Sequence, residues 1–180
     1  MWVKTKNNRG FTIVELLVVV VVISILAAIG VAAFTGMKTK TLNTSRLSEI
    51  TAWNTVFQAY KAQYGSYPPV AAGNYCLGVG FPDGDGIAGG ECRDYRYNSV
   101  NTYHEVDATA VMTELKKVAT LPYGSRTPVN DTVGPYINLW STGYSIINVF
   151  QGKSSDCPAP TIYSWDDGNG RLLCTIEASS

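Results

Sequence analysis

The sequence has one histidine among 180 residues and nothing that sets a nucleophile beside a general base. It has no glycine-rich phosphate loop leading into a helix and no metal-ligand spacing. These lacks exclude the common enzyme chemistries, and the chain is expected not to be an enzyme. A block of like charges is also missing. The 14 Lys+Arg and 14 Asp+Glu are scattered, so direct DNA binding through an electrostatic surface is not indicated. Proline is absent before Pro68 and cysteine before Cys76. Charge is nearly absent from 11–34, where Glu15 is the single charged residue.

What fills that charge-poor stretch is Val, Ile, Leu, Ala and Phe. At about 1.5 Å per residue, a helix over it reaches roughly 36 Å, enough to cross a hydrocarbon core of about 30 Å. A carboxylate in such a run is costly, on the order of 2.5–3.5 kcal/mol for an acidic residue at the centre of a membrane helix. Glu15 sits near the end, where the cost is smaller. Either it snorkels to the interface, or it neutralises a cation that assembly brings to it.

Ten residues precede the run. They carry Lys4, Lys6, Arg9 and no acid, and close on Gly10. A secretory signal would be cut beyond a short apolar core, here near Ala33, but this core is too long for that pattern. The stretch Arg9-Gly10-Phe11-Thr12-Ile13-Val14-Glu15-Leu16-Leu17 resembles, residue by residue, the processing site of type IV prepilins. The resemblance implies that a prepilin peptidase cuts after Gly10 and methylates the new amino group of Phe11. It also implies that Glu15 of one subunit pairs with the Phe11 ammonium of a neighbour in a filament. The physics agrees: a free amino terminus has a pKa of about 7.7–8.0, and an ammonium and a carboxylate are each costly unpaired in an apolar bundle. Without the leader, 11 basic residues face 14 acidic ones.

Past Phe34 the helix is expected to continue to residue 64. Leu47, Ile50, Trp53 (or Asn54), Phe57, Tyr60 and Tyr64 form an apolar stripe at steps of three and four. Thr44, Ser45, Ser48, Thr55, Lys61 and Ala62 lie opposite. Gly65 suits the C′ position, and Pro68 and Pro69 prevent continuation. The turn 60–68, with Gly-x-Tyr-Pro, resembles the end of the long helix in pilins and pseudopilins. Many members of that family also carry a proline about twenty residues into the mature chain. This sequence does not, so Gly30 is the expected weak point, with Gly36 second.

Residues 70–100 read as irregular and glycine-rich. Asp83 and Asp85 in that loop are oxygen ligands that invite calcium, but the preferred reading of the same residues is two Asp-Gly turns and no metal. A short helix is expected over 106–118, with Asp107 as N-cap and Val111, Leu115 and Val118 on one face. His104 reads as solvated or capping. Strands are expected at 136–140, 144–150, 161–165 and 171–176, the last two joined by the turn 166–170. Four cysteines allow three pairings. Cys76 with Cys92 and Cys157 with Cys174 are preferred because each closes a local loop, and a disulfide-bounded C-terminal segment is also what the pilin resemblance implies. Tyr95, Tyr97, Tyr103 and Tyr123 are read as core, subunit interface or adhesive surface, with core and interface preferred.

The expected fold is α+β: a long N-terminal helix, membrane-spanning in its first half, packed on a C-terminal antiparallel sheet as in pilins. The parts are a leader 1–10, a membrane or filament-core helix 11–36, its amphipathic half 37–64, and a head 65–180. By resemblance the chain is the structural subunit of a type IV pilus, a homopolymer made with pilus assembly machinery. It would cross the inner membrane once before assembly and stand outside the cell afterwards, serving adhesion, twitching motility or DNA uptake. The alternatives are a pseudopilin of a type II secretion system and a signal-anchored surface binding module that never polymerises.

Overall fold

The structure, a computed structural model, describes residues 12–83, 88–96, 99–124 and 126–179, without the side chains of 30–33, 35, 95 and 96. The chain divides into two compact units, Met1–Lys40 and Thr41–Ser180. Helix α1, Ile13–Tyr64, contributes to both. It passes through Gly30 and Gly36 without a break, as the lack of proline allows. Among the described residues no helix is long and apolar enough to cross a membrane. The expected span 11–36 includes Phe11 and the side chains of 30–33 and 35, which lie outside those residues.

In the second unit α1 ends where the sequence provides for it. Gly65 takes φ +76° and its N–H bonds to the Lys61 carbonyl at 2.8 Å. That positive φ favours glycine at C′. The stripe faces the core: Ile50, Trp53, Phe57 and Tyr60 are buried, and Val56 joins them. Tyr64 does not. It lies on the last turn, past the sheet's cover, and is half exposed, its ring against Tyr60 at 4.6 Å.

The main sheet is antiparallel with five strands: β1 (Gly73–Cys76), β4 (Tyr136–Trp140), β5 (Gly143–Gln151), β7 (Arg171–Ser179) and β6 (Ile162–Asp166), in that spatial order. β2 (Glu91–Arg96) and β3 (Ser99–His104) form a separate hairpin. Tyr144, Ile146, Phe150, Leu172, Cys174 and Ile176 face one way and share a core with α1. Ile147, Val149 and Leu173 face the other way and pack with Cys76, Phe81, Cys92, Val133 and Tyr136. Covering on both faces explains why β5 is buried at consecutive positions rather than alternate ones.

Two expectations change. Residues 70–100 are not irregular throughout, since β1, β2 and β3 form there or begin there. These strands are short, and their Asn, Arg, Asp and Glu residues hide the usual β-branched signal. The expected helix 106–118 is a 3-10 turn, Glu105–Ala108, followed by α2, Thr109–Leu115. Asp107 lies inside the 3-10 turn rather than at a cap, and neither segment has a side-chain cap bond. Tyr123 is exposed, which leaves it the interface or surface reading, while Tyr103 is partly buried with its ring 5.6 Å from Tyr136. Tyr97 and the side chain of Tyr95 lie outside the described residues.

The disulfides join Cys76 to Cys92 and Cys157 to Cys174. The first links β1 of the main sheet to β2 of the hairpin. The second ties the segment before β6 to β7. Their sequence separations of 16 and 17 residues correspond to about 3 kcal/mol each in the loop-entropy account. Replacing Cys76 and Cys92 together by Ser is expected to lower the unfolding free energy of the full chain in detergent by about that amount, read by urea titration. A loss below about 1 kcal/mol would mean that the backbone pairing of β2 to Val133 already holds the hairpin without the bridge.

Candidate assembly site

The first unit holds the one carboxylate of the apolar run. Helix α1 begins with a reciprocal cap, since Thr12 and Glu15 stand in the Thr-x-x-Glu pattern. The Thr12 hydroxyl oxygen accepts from the Glu15 backbone N–H at 3.2 Å. Glu15 Oε2 accepts from the Thr12 backbone N–H and from the Thr12 hydroxyl, each at 2.8 Å. The first backbone bond of the helix runs from Leu16 N–H to the Thr12 carbonyl at 3.2 Å. A carboxylate here also meets the positive end of the helix dipole.

Thr12 is therefore a capping residue beside the candidate carboxylate that sequence reasoning missed, although the capping pattern that marks it is plain in the sequence. Both bonds to the carboxylate fall on Oε2. Among the described residues Oε1 has no partner, and it stays available to a further donor. The cap uses the Thr12 N–H, a peptide group that cleavage after Gly10 would leave untouched. Gly10 and Phe11 themselves lie outside the described residues.

Beyond the cap, the described side chains of 13–29 are apolar apart from Glu15 and Ser24, and all are exposed within this chain. Val20, the most covered of the large ones, is 43% exposed, and Ile13 is 87% exposed. The Ser24 hydroxyl is satisfied within the helix, donating to the Val20 carbonyl at 2.6 Å. A helix apolar on every side has no stable place in water, so lipid or other protein must cover it.

The remaining candidates lie in the second unit. Asp83 is exposed, and Asp85 lies outside the described residues. Glu91, near them in sequence, is committed to Arg93 at 3.2 Å and faces His104 Nδ1 at 3.6 Å. His104 is exposed and precedes the 3-10 turn without a side-chain cap bond. Among the described residues no group of three or more His, Cys, Asp or Glu could hold a metal ion.

Residues 5–31 match a family described as the prokaryotic N-terminal methylation motif. The type II secretion system core protein G of Klebsiella michiganensis is 32% identical over 74 residues, 41% of this chain and 52% of that protein. The protein of the same description from Escherichia coli is 35% identical over 69 residues, 38% of this chain and 48% of that protein. The chain spans about half the length of these curated relatives. No solved structure matches it.

Proposed function

We propose, from the match of residues 5–31 to the prokaryotic N-terminal methylation motif and the similarity to the type II secretion core protein G, that the chain is a structural subunit of a type IV pilus, polymerising through α1 once its leader is removed. It is a pilin-like subunit and not an enzyme. In this reading the peptidase cuts after Gly10, Phe11 is methylated, and the subunit waits in the cytoplasmic membrane with 11–36 as its anchor. The observation that carries the reading is the exposed apolar surface of 13–29 with a single carboxylate at its start. Lipid covers that surface before assembly, and the helices of other copies cover it afterwards. Glu15 Oε2 keeps the helix cap, and Oε1 receives the Phe11 ammonium of a neighbour, which sets the register. Adhesion, twitching motility or DNA uptake would follow from the extension and retraction of such a filament.

A second reading is favoured by one observation. The relatives are named as type II secretion proteins, and they match over a stretch of 69–74 residues. In that reading the same polymerisation makes a secretion pseudopilus. Deleting the gene separates the two, since a pilus subunit takes surface filaments with it and a pseudopilin takes secretion of exported enzymes.

Both readings require the same processing. Mass analysis of the mature protein is expected to show a chain beginning at N-methyl-Phe11. A chain beginning at Met1, or near Ala33, would overturn them together.

A further inference from the structure

Surface helices ordinarily turn charge to water and apolar side chains to the core. The first turns of α1 in the second unit do the reverse. Within 41–49 the buried side chains are Arg46 and Glu49, at 1% and 3% exposure. Leu47 is only partly buried and packs at the edge of the apolar core, whose buried residues begin at Ile50. Arg46 donates to the Thr127 carbonyl at 2.7 Å and to Asn43 Oδ1 at 3.2 Å. Asn43 exchanges two bonds with the backbone of Gln151, giving Nδ2–H to its carbonyl at 2.7 Å and accepting its N–H at 3.0 Å. Glu49 Oε1 accepts from Arg126 at 2.5 Å, and Arg126 also donates to the Leu77 carbonyl at 3.3 Å.

Arg126 lies 4.5 Å from the Phe81 ring centre and 5.3 Å from that of Tyr123, a residue that is 73% exposed. Gly124 has no Cβ, and one there would overlap the Glu49 carboxylate. The loop between α2 and β4 is thus held to α1 by three charged groups and a glycine that lets them close.

Contacts of this kind have small net worth. Burial pushes the Glu49 carboxyl upward against the pull of Arg126, and it pushes Arg46 down to about 10 with Glu49 opposing. Both charges would gain hydration if the contact opened, and water can replace each hydrogen bond. Water cannot replace the apolar contacts that begin at Ile50. Segments held this way open at lower free energy than the core they border.

We propose that residues 43–49 and the loop residues 122–124 and 126–128 form a polar latch, which opens and closes in the native head while the core from Ile50 onward stays packed, and which couples α1 to the exposed Tyr123 surface. The coupling is reciprocal. A partner that grips Tyr123 in the closed loop holds Arg126 on Glu49, and an event that frees the 43–49 turns releases the loop. The latch does not depend on which filament the subunit builds.

Trypsin reads it directly, because Arg126 enters a protease only when Glu49 has let it go. Arg171 on β7 is the internal control, buried and held by Thr132 at 2.9 Å and Asp167 at 3.2 Å. In the full chain in detergent, cleavage after Arg126 is expected at a rate flat in urea below the unfolding transition. It should run at least about tenfold faster than cleavage after Arg171, whose rate should climb with urea as global unfolding does. Glu49→Gln is expected to speed cleavage after Arg126 by about another tenfold, with cleavage after Arg171 unchanged. Should that variant fail to fold, Asn43→Ala, at a partly exposed site, tests the same point with a smaller acceleration. Equal rates and equal urea dependence at Arg126 and Arg171 in the unaltered chain would overturn the latch.

Discussion

Glu15→Ala is expected to remove filaments while leaving a processed subunit in the membrane. The filament brings the Phe11 ammonium into an apolar bundle, and Glu15 is the only acid in 11–34 able to meet it. Breaking a buried pair by removing one partner costs about 3–5 kcal/mol, and every 1.4 kcal/mol is about tenfold in an association constant. Each added subunit bears that cost, so the yield of sheared filaments should fall at least about a hundredfold. Two further variants separate charge from capping. Glu15→Gln keeps an acceptor for the Thr12 N–H but no charge, and it should fail nearly as completely. Thr12→Ala removes the cap, worth about 0.5–2 kcal/mol, and keeps the charge. It should lower the yield by far less. Undiminished filaments from Glu15→Ala would sink the pairing mechanism.

Periodicity explains how much of this was legible beforehand. Ile50, Trp53, Phe57 and Tyr60 repeat at helical steps and proved to be the core face, because apolar burial leaves a pattern that needs no knowledge of the partner. The strands β4 to β7 were legible from their β-branched and aromatic residues between turn clusters, to within a few residues at their ends. Arg46 and Glu49 left no such trace. Charged residues at i and i+3 read as solvent-facing unless the partner is known, and Arg126 lies 77 residues from Glu49. β2, with the sequence Glu-Cys-Arg-Asp-Tyr-Arg, looks like a polar loop, and only its pairing with β3 makes it a strand. Thr12 differs from these. Its capping pattern is local and fully visible, but the carboxylate that completes it already had an intermolecular role to explain it.

Trp53→Ala is expected to destabilise the head by about 3–5 kcal/mol, the usual cost of deleting a large buried ring. Trp53 is wholly buried and packs in one cluster with Ile50, Phe57, Leu77 and Tyr144. On its far side the backbone comes close, since a Cβ on Gly78 would sit 3.7 Å from the indole. A loop fixed near a disulfide at Cys76 has little freedom to collapse into the space, which places the cost towards the upper end of that range. Domains of this kind are stable by only about 5–15 kcal/mol, so the urea midpoint should fall steeply. Trp53→Phe retains a ring in the cluster and should cost less than half as much. The two large predictions are also separable, because Trp53 and Glu15 belong to different compact units. Trp53→Ala should leave cleavage and methylation at Phe11 intact while the head unfolds early. Glu15→Ala should leave the head's urea midpoint where it was while filaments disappear. A Trp53→Ala head that loses less than about 1 kcal/mol would mean the apolar stripe is not what holds 41–64 to the sheet. In that case the polar contacts at Asn43, Arg46 and Glu49 would have to be the main attachment rather than a latch beside it.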